Sequence, residues 1–274
     1  MINHLKTVLL LATLTAIFLA IGFLIGGITG LTIAFIIALV INFLSYWFSD
    51  KIVLNLYHAK KASNKEYPEL HYLVREVSSN ASLPKPELYI IPSDSSNAFA
   101  TGRNPKNSSI AFTRGILSLL DKNELKGVIA HEMAHIRNYD ILVSTIAAVI
   151  AGAISYIALI TRFGAADREG NFFELILLAI LAPIIALIIR MAISRGREYL
   201  ADETGAKIIR NPNALADALS KLNYSSQEKP LKFGNNATSH LFIVNPFSGK
   251  SLINLFSTHP PIAERIRRLR KINL

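Results

Sequence analysis

His131-Glu132-Met133-Ala134-His135 is the stretch on which the reading of this chain turns. On a helix, two histidines four residues apart project from one face about one turn apart, so their imidazole nitrogens converge on a single metal ion. Glu132, next to the first histidine, is placed to take a proton from metal-bound water. The helix itself is legible. Asp121 and Glu124 stand in capping-box register, and Leu125, Val128, Ile129 and Ile136 recur at helical spacing, so one face packs and the other is free for chemistry.

A catalytic site of this kind keeps three protein ligands and one open position. The chain has no cysteine, so every ligand must be nitrogen or oxygen, and one zinc ion per chain is the cofactor expected. Where a large group of metalloproteases places a glycine and a third histidine, three and six residues after the second, this chain has Asn138 and Ile141. A carboxylate from elsewhere must serve. Arg195 to Asp202 reads as a second helix on which Glu198 and Asp202 share a face at i, i+4. Glu198 could then bind the metal while Asp202 accepts the free N–H of a ligating histidine. The competing reading is an ion pair of Glu198 with Arg195 or Arg197 on a solvated face. His240 and Glu203 are further candidate ligands without a spacing argument.

Outward from the motif, the composition points to lipid. With 51% hydrophobic and 18% charged residues in 274, the chain is too apolar for one ordinary soluble domain. No charged residue occurs from Thr7 to Ser49, and Thr7 to Ile25 and Leu31 to Phe48 read as two membrane helices around a short turn at Gly26 to Gly30. Ile141 to Ile160 is a third span. Leu175 to Ile193 is a fourth, with Pro183 inside it and Arg190 near its end, against the alternative of a buried amphipathic pair. The expected plan is a transmembrane hairpin in residues 1–49, a catalytic part with the two-histidine helix in 50–140, a second hairpin in 141–193, and a further catalytic part with the third ligand in 194–274. Two spans return the chain to the side it left, which brings His135 and Glu198 to one membrane surface.

The net charge of +10 sits beside apolar runs and makes no compact stripe, so snorkelling anchors explain it and a nucleic-acid partner does not. Lys51, Lys60, Lys61, Lys122, Arg137, Arg195 and Arg197 all lie on one side of the predicted spans. That places both termini and the active site on the cytoplasmic side of a multi-pass membrane protein. Glu87 to Ile91 and Ser108 to Thr113 look like short strands. Asn97 to Thr101 is a further one within the turn-rich stretch Ser93 to Asn107. The fold class is therefore mainly α with a small β-sheet, and four transmembrane helices in two hairpins.

These residues together resemble the M48 peptidase family, in its HtpX-like branch. The resemblance rests on the paired N-terminal spans, Asn97-Ala98-Phe99-Ala100-Thr101-Gly102, the His131 to His135 helix, Arg195 to Asp202 with Gly205-Ala206, and His259-Pro260-Pro261 to Arg265. It implies a zincin-like (gluzincin) integral membrane endopeptidase of the cytoplasmic membrane. The implied substrates are membrane or misfolded proteins, cleaved in quality control often linked to stress. By the same resemblance Glu198 is the third zinc ligand, Asp202 stands behind a ligating histidine, and His259 and Arg265 steady the reacting carbonyl. Substrate backbone pairs with a strand edge over Asn97, Ala98, Phe99 and Ala100. A metal-binding scaffold without catalysis is the rival class, and Glu132 argues against it, since a structural zinc is closed by four ligands and has no use for that glutamate.

Overall fold

The structure, a computed structural model, describes residues 2–150, 195–231, 236–245 and 260–274. Most of the expected second hairpin, and His259, lie outside the described residues. What is described is mainly helical with one small mixed sheet.

The N-terminal helical segment, α1 (Ile2–Leu56), is broken at Gly26 and Gly27. Gly27 has φ 57° and ψ −138°, a conformation open to glycine and costly for residues with a Cβ. The chain folds back there, because the Asn42 side chain donates to Thr15 Oγ1 at 2.8 Å from 27 residues away. Val8, Ile33, Phe35, Ile36 and Phe43 are exposed on the outside of this hairpin, a surface suited to lipid tails. Gly26–Leu56, 31 residues with an 18-residue stretch of mean hydropathy 2.3, is long and apolar enough to cross a bilayer, whereas Thr7–Ala20 is apolar but shorter. By that measure one span stands among the described residues where the sequence suggested two.

The polar part begins with β1 (Lys60–Lys61) and α2 (Pro68–Asn80), followed by β2 (Glu87–Ile91), β3 (Ala98–Asn104) and β4 (Asn107–Thr113). Strand order is β1-β2-β4-β3, with β2 and β4 parallel and the other two pairings antiparallel. β3 therefore forms one edge of the sheet. It continues to Asn104, beyond the Asn97 to Thr101 expected from sequence, because the tight β3–β4 turn pairs Asn104 with Asn107.

After α3 (Arg114–Leu119), α4 (Lys122–Arg137) starts at a complete capping box. Asp121 accepts from the amides of Asn123 and Glu124, and the Glu124 carboxylate accepts from the Asp121 amide. Such a cap contributes about 0.5–2 kcal/mol. Tyr139, at φ 59°, then breaks the helix in a short turn before α5, described over Asp140–Ile150. Leu142, Val143, Ile146 and Ile150 of α5 pack on Leu10 and Leu14 of the hairpin. α6 (Arg195–Ile209), α7 (Pro212–Glu228), a 3-10 turn at Asn236–Leu241 and α8 (Ile262–Leu269) complete the described chain.

The main core lies between the sheet and these helices, with Val74, Val77, Ile110, Phe112, Val128, Met133, Leu215 and Leu219 buried together. α4 runs through its middle. Gly205 sets how closely α6 approaches, since a Cβ there would stand 2.9 Å from the His131 amide nitrogen. That contact seats α6 against the turn of α4 that carries the first histidine.

Candidate active site

On α6 the buried residues are Glu198, Ala201, Asp202, Gly205 and Ala206, a helical stripe at i, i+3, i+4, i+7 and i+8. Burying a stripe with two carboxylates in it is costly unless each is paired, and the facing turn of α4 supplies the partners. His131 Nε2 lies 3.2 Å from His135 Nε2 and 3.8 Å from Glu198 Oε2, and His135 Nε2 lies 3.5 Å from Glu198 Oε1. Ligands held about 2.0–2.2 Å from one tetrahedral ion stand about 3.3–3.6 Å apart. The three side chains fit a single metal ion. Among the described residues they are the set of histidines and acids brought close enough for one.

The remaining imidazole nitrogens are held from behind. His131 Nδ1 is 3.0 Å from Asp202 Oδ1, and His135 Nδ1 is 3.1 Å from Asp140 Oδ2. Each carboxylate accepts the Nδ1 proton and so turns the Nε2 lone pair towards the shared point. Asp140 was not singled out in the sequence. It is 2% exposed, and Arg197 donates to its other oxygen at 3.1 Å, so one of the two arginines that competed for Glu198 in the sequence reading pairs with Asp140. The signal available was an acid five residues after His135, at the start of an apolar run.

Arg265 is fully buried. Its Nε and Nη2 donate to the two oxygens of Asp202 at 2.8 and 2.7 Å, and its Nη1 donates to the Ile243 carbonyl at 3.1 Å and stands 3.5 Å from Glu198 Oε2. Burial alone would raise the Asp202 pKa, but the guanidinium holds the carboxyl below its ordinary value. Burial likewise disfavours the arginine cation, and Asp202 and Glu198 more than compensate. Arg265 Nη2 lies beside the His131 ring, 3.4 Å from Nε2 and 3.5 Å from Nδ1, and Arg265 is not among the residues lining the cavity.

Glu132 is 3% exposed and faces the cavity. Burial pushes its carboxyl above the ordinary range, against the pull of His131 and His135, and the amide of Ala100 donates to it. Burial would depress His135, yet Asp140 and Glu198 outweigh it and raise the metal-free imidazole to about 9. The cavity measures about 30 Å³ and lies between Glu132 and the metal-binding side chains on one side and Phe242 and Ile243 on the other. Ala98 and Ala100 lie on the β3 edge beside it, while Asn97, just before the strand, reaches to Val244. Of the spare candidates, Glu203 pairs with Lys207 on the exposed face of α6. His240 lines the cavity and bonds the Ser144 carbonyl at 3.0 Å, outside the ligand cluster.

A family model for peptidase family M48 matches residues 64–273. The chain is 54% identical over 274 residues to the protease HtpX homolog of Pyrococcus furiosus, covering 97% of this chain and 95% of that one. It is 51% identical over 280 residues to the protease HtpX homolog of Syntrophobacter fumaroxidans, covering 98% and 99%. Among solved structures, Ste24p of S. mikatae superposes with a TM-score of 0.53 at 18% identity, over 97% of this chain and 65% of that chain, a likeness of fold alone. By the extent of these matches the chain belongs to peptidase family M48 and is a metallopeptidase.

Proposed function

We propose that this chain is a zinc-dependent endopeptidase of the cytoplasmic membrane, spanning the bilayer four times as two hairpins. Its active site and both termini face the cytoplasm, and its substrates are membrane or misfolded proteins. The observation that carries this is the convergence of His131, His135 and Glu198, one ligand atom from each lying within 4.8 Å of the others, with Glu132 buried alongside. Two nitrogens and one oxygen are a donor set that zinc accepts. Supporting the membrane reading are the apolar outer face of α1 and the lysines and arginines gathered on one side of the predicted spans.

When bound, zinc supplies a Lewis acid that acidifies a water and polarises the scissile carbonyl. Glu132 takes the proton of the attacking water and hands it to the leaving amine. The Ala100 amide fixes the carboxylate in place. Asp202 and Asp140 keep the two imidazoles in one tautomer and orientation.

For Arg265 the bonds to Asp202 favour a positioning role over direct contact with the reacting carbonyl, which was the expectation from sequence. His259 is left as the residue proposed to steady the developing oxyanion. Substrate backbone is proposed to pair along the β3 edge at Asn97–Ala100. A bilayer is the structural partner; the dispersed basic residues give no reason to add nucleic acid.

The test is zinc content and peptide cleavage of purified chain in lipid nanodiscs, wild type beside Glu132→Gln. Wild type should cleave, and the variant should keep zinc and fold while cleavage is lost, because only the base has been removed. Full activity in Glu132→Gln would refute the mechanism.

A further inference from the structure

Two guanidinium groups lie at the site, and they differ in how much of their hydrogen-bonding capacity is used. An arginine carries five N–H donors in a rigid planar fork. Arg265 engages Nε, Nη1 and Nη2 with Asp202 and the Ile243 carbonyl. Arg197, on the turn of α6 that carries Glu198, makes one hydrogen bond to the described residues, from Nη1 to Asp140 Oδ1 at 3.1 Å. Its Nε is buried and has no partner among them.

A buried N–H without an acceptor is costly, and more so on a charged group, so its presence in a folded protein calls for an explanation. Pairing with Asp140 explains one edge of the fork. It does not explain the rest, because a lysine would hold the acid as a point charge. Arg197 lines the same cavity as Glu132, His135 and Glu198. The unused donors thus belong to a side chain that borders the place where a peptide must react.

The charges around the cavity decide which acceptor the fork takes. Asp140, Glu132 and Glu198 bring three carboxylates to its wall against the one guanidinium of Arg197, and a divalent ion held by the two histidines and Glu198 brings the sum to zero. Asp202 and Arg265 form a balanced pair of their own. A substrate carboxylate would add an uncompensated negative charge to a buried site. A main-chain carbonyl adds none and still accepts the hydrogen bond. We propose that Arg197 is a substrate-binding residue: its guanidinium, anchored on Asp140 through Nη1, donates from its remaining N–H groups to a backbone carbonyl next to the scissile bond. Asp140 also lies 3.1 Å from His135 Nδ1, so the peptide is held by the same acid that orients a metal-binding side chain, and its scissile carbonyl is brought to the metal by position. This inference rests on the peptidase reading above and adds a residue to it.

Three phosphinic peptides, each with a phosphinic group in place of the scissile amide, test it: a parent, and two in which the carbonyl before or after that group is replaced by methylene. Their affinities are read by calorimetry on the zinc-loaded full chain in nanodiscs. Wild type should bind one methylene peptide about 10–100-fold more weakly than the parent, the usual effect of losing a hydrogen bond to a charged group. Arg197→Lys keeps a cation on Asp140 and loses the fork. It should retain zinc, bind the parent as weakly as wild type binds that methylene peptide, and not distinguish the two. Equal discrimination in both proteins, or none in wild type, overturns the assignment.

Should Arg197→Lys not hold zinc, Arg197→Gln combined with Asp140→Asn removes the ion pair as a unit. In excess zinc that double variant should show the same loss of discrimination, and discrimination kept at the wild-type level overturns the assignment. Peptide cleavage by wild type is measured alongside. Discrimination that depends on Arg197 without any cleavage leaves Arg197 a carbonyl-binding residue and refutes the peptidase reading, whereas cleavage without discrimination refutes the role of Arg197 alone.

Discussion

His135 Nδ1 stands 3.1 Å from Asp140, a residue that closes the turn after α4 and opens α5. Because Arg197 of α6 bonds the same carboxylate, three helices meet at one acid. Asp140→Asn keeps the shape and removes the charge that orients His135. Apparent zinc affinity should fall about 10–100-fold, the usual loss when a group behind a ligating histidine is changed. A chelator-competition titration measures it, and affinity equal to wild type would leave Asp140 a merely structural residue.

Arg265 separates two roles by which quantity moves. It is buried with Asp202 and Glu198 as its counter-charges, so Arg265→Ala removes the buried cation that balances them and should cost about 3–5 kcal/mol of stability. Chemical denaturation would show this, with zinc lost more readily than from wild type. A variant that folds and binds zinc as wild type does, and loses only kcat, would return Arg265 to the carbonyl-steadying role expected from sequence.

Protons and metal compete for His135. Its pKa in the metal-free chain is raised to about 9 from 6.5, so its contribution to metal-free stability is complete below about pH 6.5 and is lost as pH rises through about 9. Zinc needs the neutral ring, so binding should release a proton across that window and apparent affinity should climb with pH, levelling above about 9. Calorimetric titrations at several pH values read both effects. Affinity independent of pH from 7 to 9 would contradict the raised value.

Much of this was legible because helical spacing is a local property. The capping box, the two-histidine face of α4 and the shared face of Glu198 and Asp202 each follow from residues within a few positions of one another. What stayed hidden depends on contacts between distant segments. Asp140 meets His135 only because Tyr139 adopts a left-handed conformation. Arg265 meets Asp202 across 63 residues. Ile243 lies on Ala98 with no periodicity to announce it. The uncharged run from Thr7 to Ser49 gave the apolar character of the N-terminal segment, and the fold-back at Gly27 followed from the glycines there, but of the two spans read from length and apolarity one is long enough by itself among the described residues.

The hairpin in α1 makes its own prediction about orientation. With both termini cytoplasmic, the Gly27 turn lies outside the cell and Ser63, exposed just after β1, lies inside. A membrane-impermeant thiol reagent should label Gly27→Cys in intact cells and Ser63→Cys only after lysis. The reverse pattern would invert the topology.

The claim on which the account depends is that Glu198 completes the metal site and is no ordinary ion-pair partner. Zinc content of Glu198→Gln tests it, with Glu203→Gln beside it. Glu203 pairs with Lys207 on the exposed side of the same helix, and such a pair contributes only about 0–1 kcal/mol. The account predicts that purified Glu198→Gln has lost most of its zinc while Glu203→Gln holds as much as wild type. Zinc retained in full by Glu198→Gln would contradict it.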